Sequence, residues 1–191
     1  MTQFKILMSL ALFAASAPAF ALSHHTSVDP KDCVVAESSE LDKEHEIDHK
    51  ASECPGLGGY RIFVAGGDVR YSITLGFGQK QMELTKVGAF HDVGSKKIEW
   101  VYERPQRKDD EFSEDIAQVK YLALIHRISF PKQPDDDKWT SRLYVTKLAG
   151  ENSCVVGVVE ASDKMNDKAT AMGLKAQSME CLKDKEKLEE E

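Results

Sequence analysis

Residues 45–49 read His-Glu-Ile-Asp-His and match the H-E-x-x-H motif of zinc-dependent hydrolases. On a helix, this spacing places His45 and His49 one turn apart, so that both imidazoles can bind the same zinc ion. Glu46 would then act as the general base that activates a zinc-bound water molecule. The chemistry that this segment could perform is therefore zinc-assisted hydrolysis.

The residues around the motif do not favour a zinc-binding helix. Charged side chains flank and interrupt it, at Asp42, Lys43, Glu44, Asp48, Lys50 and Glu53. A helix that holds a catalytic zinc packs an apolar face against the core, and only Leu41 and Ile47 could supply one. Pro55 ends any helix shortly after the motif. We therefore expect a solvated segment in which His45 and His49 are exposed and no residue is catalytic.

A second use of the histidines remains open. His24 and His25 precede the motif, and together with His45 and His49 they could bind zinc or copper. The alternative function is thus metal binding through a histidine-rich N-terminal arm, and zinc-dependent hydrolysis ranks behind it. The chain contains no phosphate-binding loop and no nucleophile elbow, and we expect no cofactor.

The first residues of the chain predict a secretory signal peptide. Lys5 is basic, residues 6–15 form an apolar run too short to span a bilayer, and Ala19-Phe20-Ala21 forms an A-x-A cleavage site. We expect cleavage after Ala21, or after Ala19 by the same rule, so that residues 1–21 are the signal peptide. No later stretch reaches the roughly 18 apolar residues of a membrane helix, so no membrane anchor is expected.

The composition of the chain is acidic and argues against one class of partner. Its 32 acidic and 25 basic residues give a formal net charge of −7. A negative surface repels phosphate backbones and anionic lipids, so nucleic acid is not an expected partner. The expected partner is an envelope or extracellular protein or a small ligand.

All four cysteines follow the predicted signal peptide, which is typical of disulfides in an exported chain. Four cysteines allow three pairings. We expect Cys33–Cys54 and Cys154–Cys181, because each pair is local and encloses one unit of the chain. Free thiols or a cysteine-bound metal are the alternative, but no C-x-x-C spacing supports a metal site.

The elements that would position any site are mainly strands. Period-2 or continuous apolar runs, typical of strands, occur at residues 60–66, 69–77, 96–103, 119–130, 141–149 and 154–161. Methionine and alanine then recur at helical spacing, at Met165, Ala169, Met172, Ala176 and Met179. This stripe predicts a helix over 163–181 that packs in the core, and an adaptable binding surface is the alternative.

We therefore predict a single α+β domain over residues 54–182. A mainly antiparallel sheet of about six strands would carry one C-terminal helix, and disulfides would stabilise the domain. Residues 22–53 would form a polar N-terminal arm, and residues 183–191 a charged C-terminal tail.

Residues 54–77, "CPGLGGYRIFVAGGDVRYSITLGF", resemble small secreted proteins of Gram-negative bacteria that carry C-P-G-x-G-G-Y followed by a strand and D-x-R. Those proteins have no assigned function, so the resemblance implies an exported, disulfide-stabilised domain and no catalytic residue. It makes Tyr60, Asp68 and Arg70 the candidates for a ligand-binding surface. The alternatives are that Asp68 caps its own turn and that Arg70 pairs with a nearby carboxylate.

Three further residues carry alternative interpretations. His126 lies within an apolar strand pattern, where we expect a hydrogen-bonded structural histidine. Trp100 and Trp139 are expected in the core or at its rim, and an exposed Trp139 would instead favour a sugar-binding platform. The sequence as a whole favours a non-enzymatic binding or interaction protein of the bacterial envelope, located in the periplasm or secreted.

Overall fold

The computed structural model describes residues 22–35, 50–67, 70–84, 95–103, 119–132 and 137–183. The strands within these ranges are β1 (Leu22–Ser27), β2 (Val34–Val35), β3 (Lys50–Cys54), β4 (Tyr60–Gly67), β5 (Arg70–Phe77), β6 (Lys80–Glu83), β7 (Lys97–Glu103), β8 (Lys120–Pro131), β9 (Trp139–Lys147) and β10 (Cys154–Glu160). The α-helix α1 (Met165–Lys175) follows β10 and runs into a 3-10 turn at Ala176–Ser178, and another 3-10 turn occupies Pro30–Asp32. The predicted signal peptide and residues 184–191 lie outside the described residues.

The strands form two antiparallel sheets of five strands each. Sheet A has the order β1-β7-β8-β9-β10, and sheet B has the order β2-β3-β4-β5-β6. The α+β class, the antiparallel pairing and the single C-terminal helix are confirmed. The predicted strands all occur, but they belong to two sheets, and β1, β2, β3 and β6 are added to them.

Sheet A is the middle layer of three. Its face toward sheet B forms an apolar core with that sheet, in which Ile62 and Leu75 of sheet B pack with Trp100 and Leu124 of sheet A. Its other face packs against α1. Because both faces are covered, β8 is apolar at consecutive positions, which explains why its sequence pattern lacks a clear polar side.

The methionine and alanine stripe of α1 packs as core, as predicted. Met165 and Ala169 of α1, and Ala176 of the 3-10 turn that follows it, are buried against sheet A. The α-helix ends at Lys175 and is therefore shorter than the predicted 163–181. Gly157 of β10 faces the Met172 sulfur, which occupies the space where a Cβ at this position would lie. The small residues therefore allow the helix to approach the sheet closely.

Both disulfides pair as predicted, Cys33 with Cys54 and Cys154 with Cys181. The first joins the residue before β2 to the end of β3, and the second joins the start of β10 to the chain beyond the helix. Each bond should contribute roughly 3 kcal/mol by restricting the unfolded chain. Among the described residues, no helix is long and apolar enough to cross a membrane.

Candidate functional site

The H-E-x-x-H motif lies at residues 45–49, outside the described residues. Strand β3 begins at Lys50, the residue that follows His49. A zinc-binding helix through both histidines would therefore have to end at His49 itself. That His45 and His49 are exposed and not catalytic stays a prediction.

The two histidines of β1 do not converge on one metal ion. Neighbouring residues of a strand point to opposite faces of the sheet. His24 packs its ring against Tyr102, with centroids 4.4 Å apart, and its Nδ1 lies 2.9 Å from the Tyr121 hydroxyl. His25 is exposed on the other face. Among the described residues, no group of three or more histidine, cysteine, aspartate or glutamate side chains could hold a metal ion.

The C-P-G-x-G-G-Y segment forms a loop that ties the two sheets together. Gly58 has a φ of 63°, and a Cβ there would lie 2.8 Å from the Tyr121 ring of sheet A. The Tyr60 hydroxyl accepts a hydrogen bond of 2.7 Å from the backbone N–H of Gly150, in the turn between β9 and β10. The glycines and the tyrosine of this motif therefore have an evident packing role.

Asp68 and Arg70 are the other two residues of the candidate ligand surface. Asp68 lies outside the described residues. Arg70 begins β5, where its backbone pairs with Gly67, and its side chain is outside the described part of the structure. A shared ligand surface of Tyr60, Asp68 and Arg70 stays a prediction.

The strongest candidate site lies between the two sheets, on the face of sheet A that meets sheet B. In strand β9, Leu143 and Val145 alternate with the more polar residues Arg142, Tyr144 and Thr146. The polar face of such a strand normally faces water. Here the apolar pair packs under α1. The polar set therefore points into the sandwich, where it forms the interior polar strip together with one residue of β8: His126, Arg142, Tyr144 and Thr146.

His126 is the buried centre of the interior polar strip. Its side chain is 1% exposed, and it lies directly opposite Tyr144 in the β8–β9 register. The two rings stack with centroids 5.3 Å apart and an interplanar angle of 14°. Burial lowers the pKa of His126 to about 3, so the imidazole is neutral at physiological pH.

At this end of the interior polar strip, the buried polar atoms have no hydrogen-bond partner within the described part of the chain. Neither Nδ1 nor Nε2 of His126 has a hydrogen-bond partner among the described residues, and the same holds for the Thr146 hydroxyl. The hydrogen bonds expected of a structural histidine at this position are therefore absent among the described residues. Thr146 is fully buried. It lies on β9, two residues from Tyr144, which is the partner of His126 in the β8–β9 register. Each buried polar group without a partner costs roughly 1–3 kcal/mol, so the arrangement requires an explanation.

The other end of the interior polar strip reaches the surface through Arg142. Its Nε lies 2.7 Å from Oε1 of Glu160, whose side chain is 60% exposed. The guanidinium also stacks over the Phe130 ring, 4.8 Å from its centroid. Burial raises the pKa of Tyr144, and the neighbouring Arg142 partly offsets this effect. The interior polar strip thus leads from an ion pair at the surface to a neutral imidazole without a partner among the described residues.

Sequence reasoning singled out His126 but did not identify Thr146 or Arg142 as members of a site. The alternation of polar and apolar residues in β9 was the one sequence signal for this site. It defines a polar face of the strand, but that face is interior only if a second sheet covers it. No protein-family model, curated protein or solved structure matches this chain.

Proposed function

We propose that this chain is an exported, non-enzymatic binding protein of the bacterial envelope that holds a small ligand between its two sheets. The observation that carries the proposal is His126, a fully buried imidazole with both nitrogens unpartnered among the described residues. A ligand that hydrogen-bonds to these nitrogens would remove the cost of their burial, and that gain would appear as affinity.

Export is supported by two kinds of evidence. The two disulfides are typical of proteins in oxidising compartments such as the periplasm or the extracellular space. The A-x-A site that precedes Leu22 is typical of a cleaved signal peptide. Periplasmic residence or secretion is accordingly part of the proposal.

The chemistry of the interior polar strip restricts the ligand. A neutral imidazole offers one donor and one acceptor, and the Thr146 hydroxyl can do either. The ligand would therefore carry a donor and an acceptor close together at one end. The group beside His126 would be uncharged, because the burial that keeps this imidazole neutral also disfavours a charged ligand group there. The flat ring of Tyr144 would provide an apolar wall.

The experiment compares two preparations of the same protein. One is purified natively from the periplasm, and the other is unfolded in guanidinium chloride with its disulfides intact, dialysed and refolded to remove any ligand. We expect the native preparation to melt roughly 5–10 °C higher, as a ligand present at about 100 times its Kd would produce. The side-chain 15N resonances of His126 should also differ between the two preparations.

A matched pair of variants separates a bound ligand from incomplete refolding. Thr146→Val keeps the side-chain shape and removes the hydroxyl, so it should lower the melting temperature of the native preparation and not that of the refolded one. Thr74→Val makes the same change in sheet B at a partly exposed position and should affect both preparations equally. Identical melting temperatures and identical His126 resonances in the two preparations would contradict the proposal.

A further inference from the structure

Trp139 is an exposed aromatic residue on the side of sheet A that faces away from the interior polar strip. Its side chain is 49% exposed, whereas Trp100 is fully buried and donates its Nε1–H to Thr26. Trp139 begins β9 and pairs with Pro131 at the end of β8. A large exposed indole in a folded domain is a common feature of binding surfaces, because it offers a flat apolar face at little entropic cost.

Polar side chains lie next to this indole on the same face of the sheet. The β8–β9 register pairs Ser129 with Ser141, one step from Trp139, and Arg127 with Leu143, one step further. Alternate residues of a strand lie about 6.8 Å apart, so both serines are close neighbours of the indole on this face. We refer to Trp139, Ser129, Ser141, Arg127 and Asn166 as the Trp139 surface.

Arg127 orients two of these polar groups. It donates one hydrogen bond to the Ser141 hydroxyl oxygen and another to Oδ1 of Asn166, each at 2.8 Å. Because the arginine occupies these acceptors, the Ser141 hydroxyl hydrogen and the Asn166 amide hydrogens are directed elsewhere, as donors. Asn166 is exposed at the start of α1. The Trp139 surface therefore combines a flat apolar platform with donors held in place by Arg127.

We propose that the Trp139 surface is a binding site for a neutral oligosaccharide of pyranose sugars. A pyranose ring has an apolar face of C–H groups, which matches an indole, and a rim of hydroxyl oxygens, which match oriented donors. The surrounding charge is mixed, since Lys132, Asp137 and Lys138 are all exposed at this end of the hairpin. Because these described charges have both signs, they do not favour a strongly charged glycan, and the neutral class fits best. This site is separate from the ligand site between the sheets.

The test uses the full mature protein and three defined sugars: maltotriose, cellotriose and triacetylchitotriose. Tryptophan fluorescence reports on the site, because Trp139 is the exposed one of two tryptophans and Trp100 is buried. We expect at least one sugar to give a saturable change in emission and to protect the exposed tryptophan from iodide quenching. Absence of a saturable change with all three sugars would overturn the proposal.

Variants measured by titration calorimetry assign the binding to these residues. Trp139→Ala should weaken the affinity about tenfold or more, and Trp139→Phe should retain part of it because a ring remains. Ser141→Ala should weaken binding without altering the iodide quenching of free Trp139. Val35→Ala removes an exposed apolar side chain from sheet B and serves as the control, with unchanged affinity expected. Equal affinity in Trp139→Ala and the native protein would also overturn the proposal.

Arg127 is a positioning residue in this account, and its test must separate orientation from folding. Arg127→Met should weaken sugar affinity, whereas Arg127→Lys should restore it in part. Arg127 also donates to the Met165 sulfur and helps to attach α1, so the far-ultraviolet circular dichroism of each variant is compared with that of the native protein. If Arg127→Met keeps the native spectrum and full sugar affinity, Arg127 has no positioning role.

Discussion

Replacing His126 by leucine should change how the stability of the protein depends on pH. The pKa of this imidazole is about 3 in the folded protein and 6.5 when it is exposed to water. Between these values the unfolded chain binds a proton that the folded protein does not, so acid favours unfolding. His126 therefore carries no protonation penalty well above pH 6.5, and this penalty on the folded state grows as the pH falls toward 3.

The size of the effect follows from this pKa difference. Each pH unit between the two pKa values costs about 1.4 kcal/mol, which gives a loss of about 2 kcal/mol at pH 5 relative to pH 8. Because the side chain is 1% exposed, solvent screening does not reduce this figure appreciably. Leucine has a similar volume and does not titrate, so the variant is free of this pH-dependent penalty.

The assay is urea denaturation of refolded protein at about pH 8, 7, 6 and 5, for the native sequence and for His126→Leu. Trp100 is fully buried, so its fluorescence reports unfolding. Subtracting the two free energies of unfolding cancels the other titrating groups. We expect the native protein to lose about 2 kcal/mol relative to the variant between pH 8 and pH 5. Parallel curves for the two proteins would refute the claim that His126 is buried and neutral.

Three further predictions concern the loop and the disulfides. Gly58→Ala should destabilise the protein by about 1–3 kcal/mol in thermal denaturation, because its φ is positive and the new Cβ would meet the Tyr121 ring; an unchanged melting temperature would exclude this close packing. Tyr60→Phe should cost about 0.5–1.5 kcal/mol in urea denaturation through loss of one hydrogen bond to the β9–β10 turn, and no cost would mean that water replaces the hydroxyl. Replacing both Cys154 and Cys181 by alanine should cost roughly 2–5 kcal/mol, and a variant as stable as the native protein in urea would show that the bond adds nothing.

The elements that sequence reasoning located share a strong local signal. Strands β5 and β7 alternate apolar and polar residues, and the Met-Ala stripe of α1 has helical spacing. Strands β1 and β3, "LSHHTS" and "KASEC", have no such pattern. Their strand conformation depends on long-range pairing with β7 and β4, and in the case of β3 also on a disulfide. A local sequence pattern does not predict strands that are stabilised by long-range pairing or by a disulfide.

The candidate site was less predictable than the fold, for a related reason. The alternation of β9 identifies two faces but does not say what covers each of them. With one sheet and one helix, the polar face of Arg142, Tyr144 and Thr146 would meet water. The second sheet encloses it instead and leaves His126 without a partner among the described residues. A polar strand face becomes interior only through the packing of the complete domain.

Binding of a ligand beside His126 can be tested by a crystal structure of the natively purified protein at about pH 7. We expect electron density for a molecule larger than water, with polar atoms within about 3 Å of a His126 ring nitrogen and of the Thr146 hydroxyl. Density for water alone at these atoms, or a protein side chain bonded to both ring nitrogens, would contradict it.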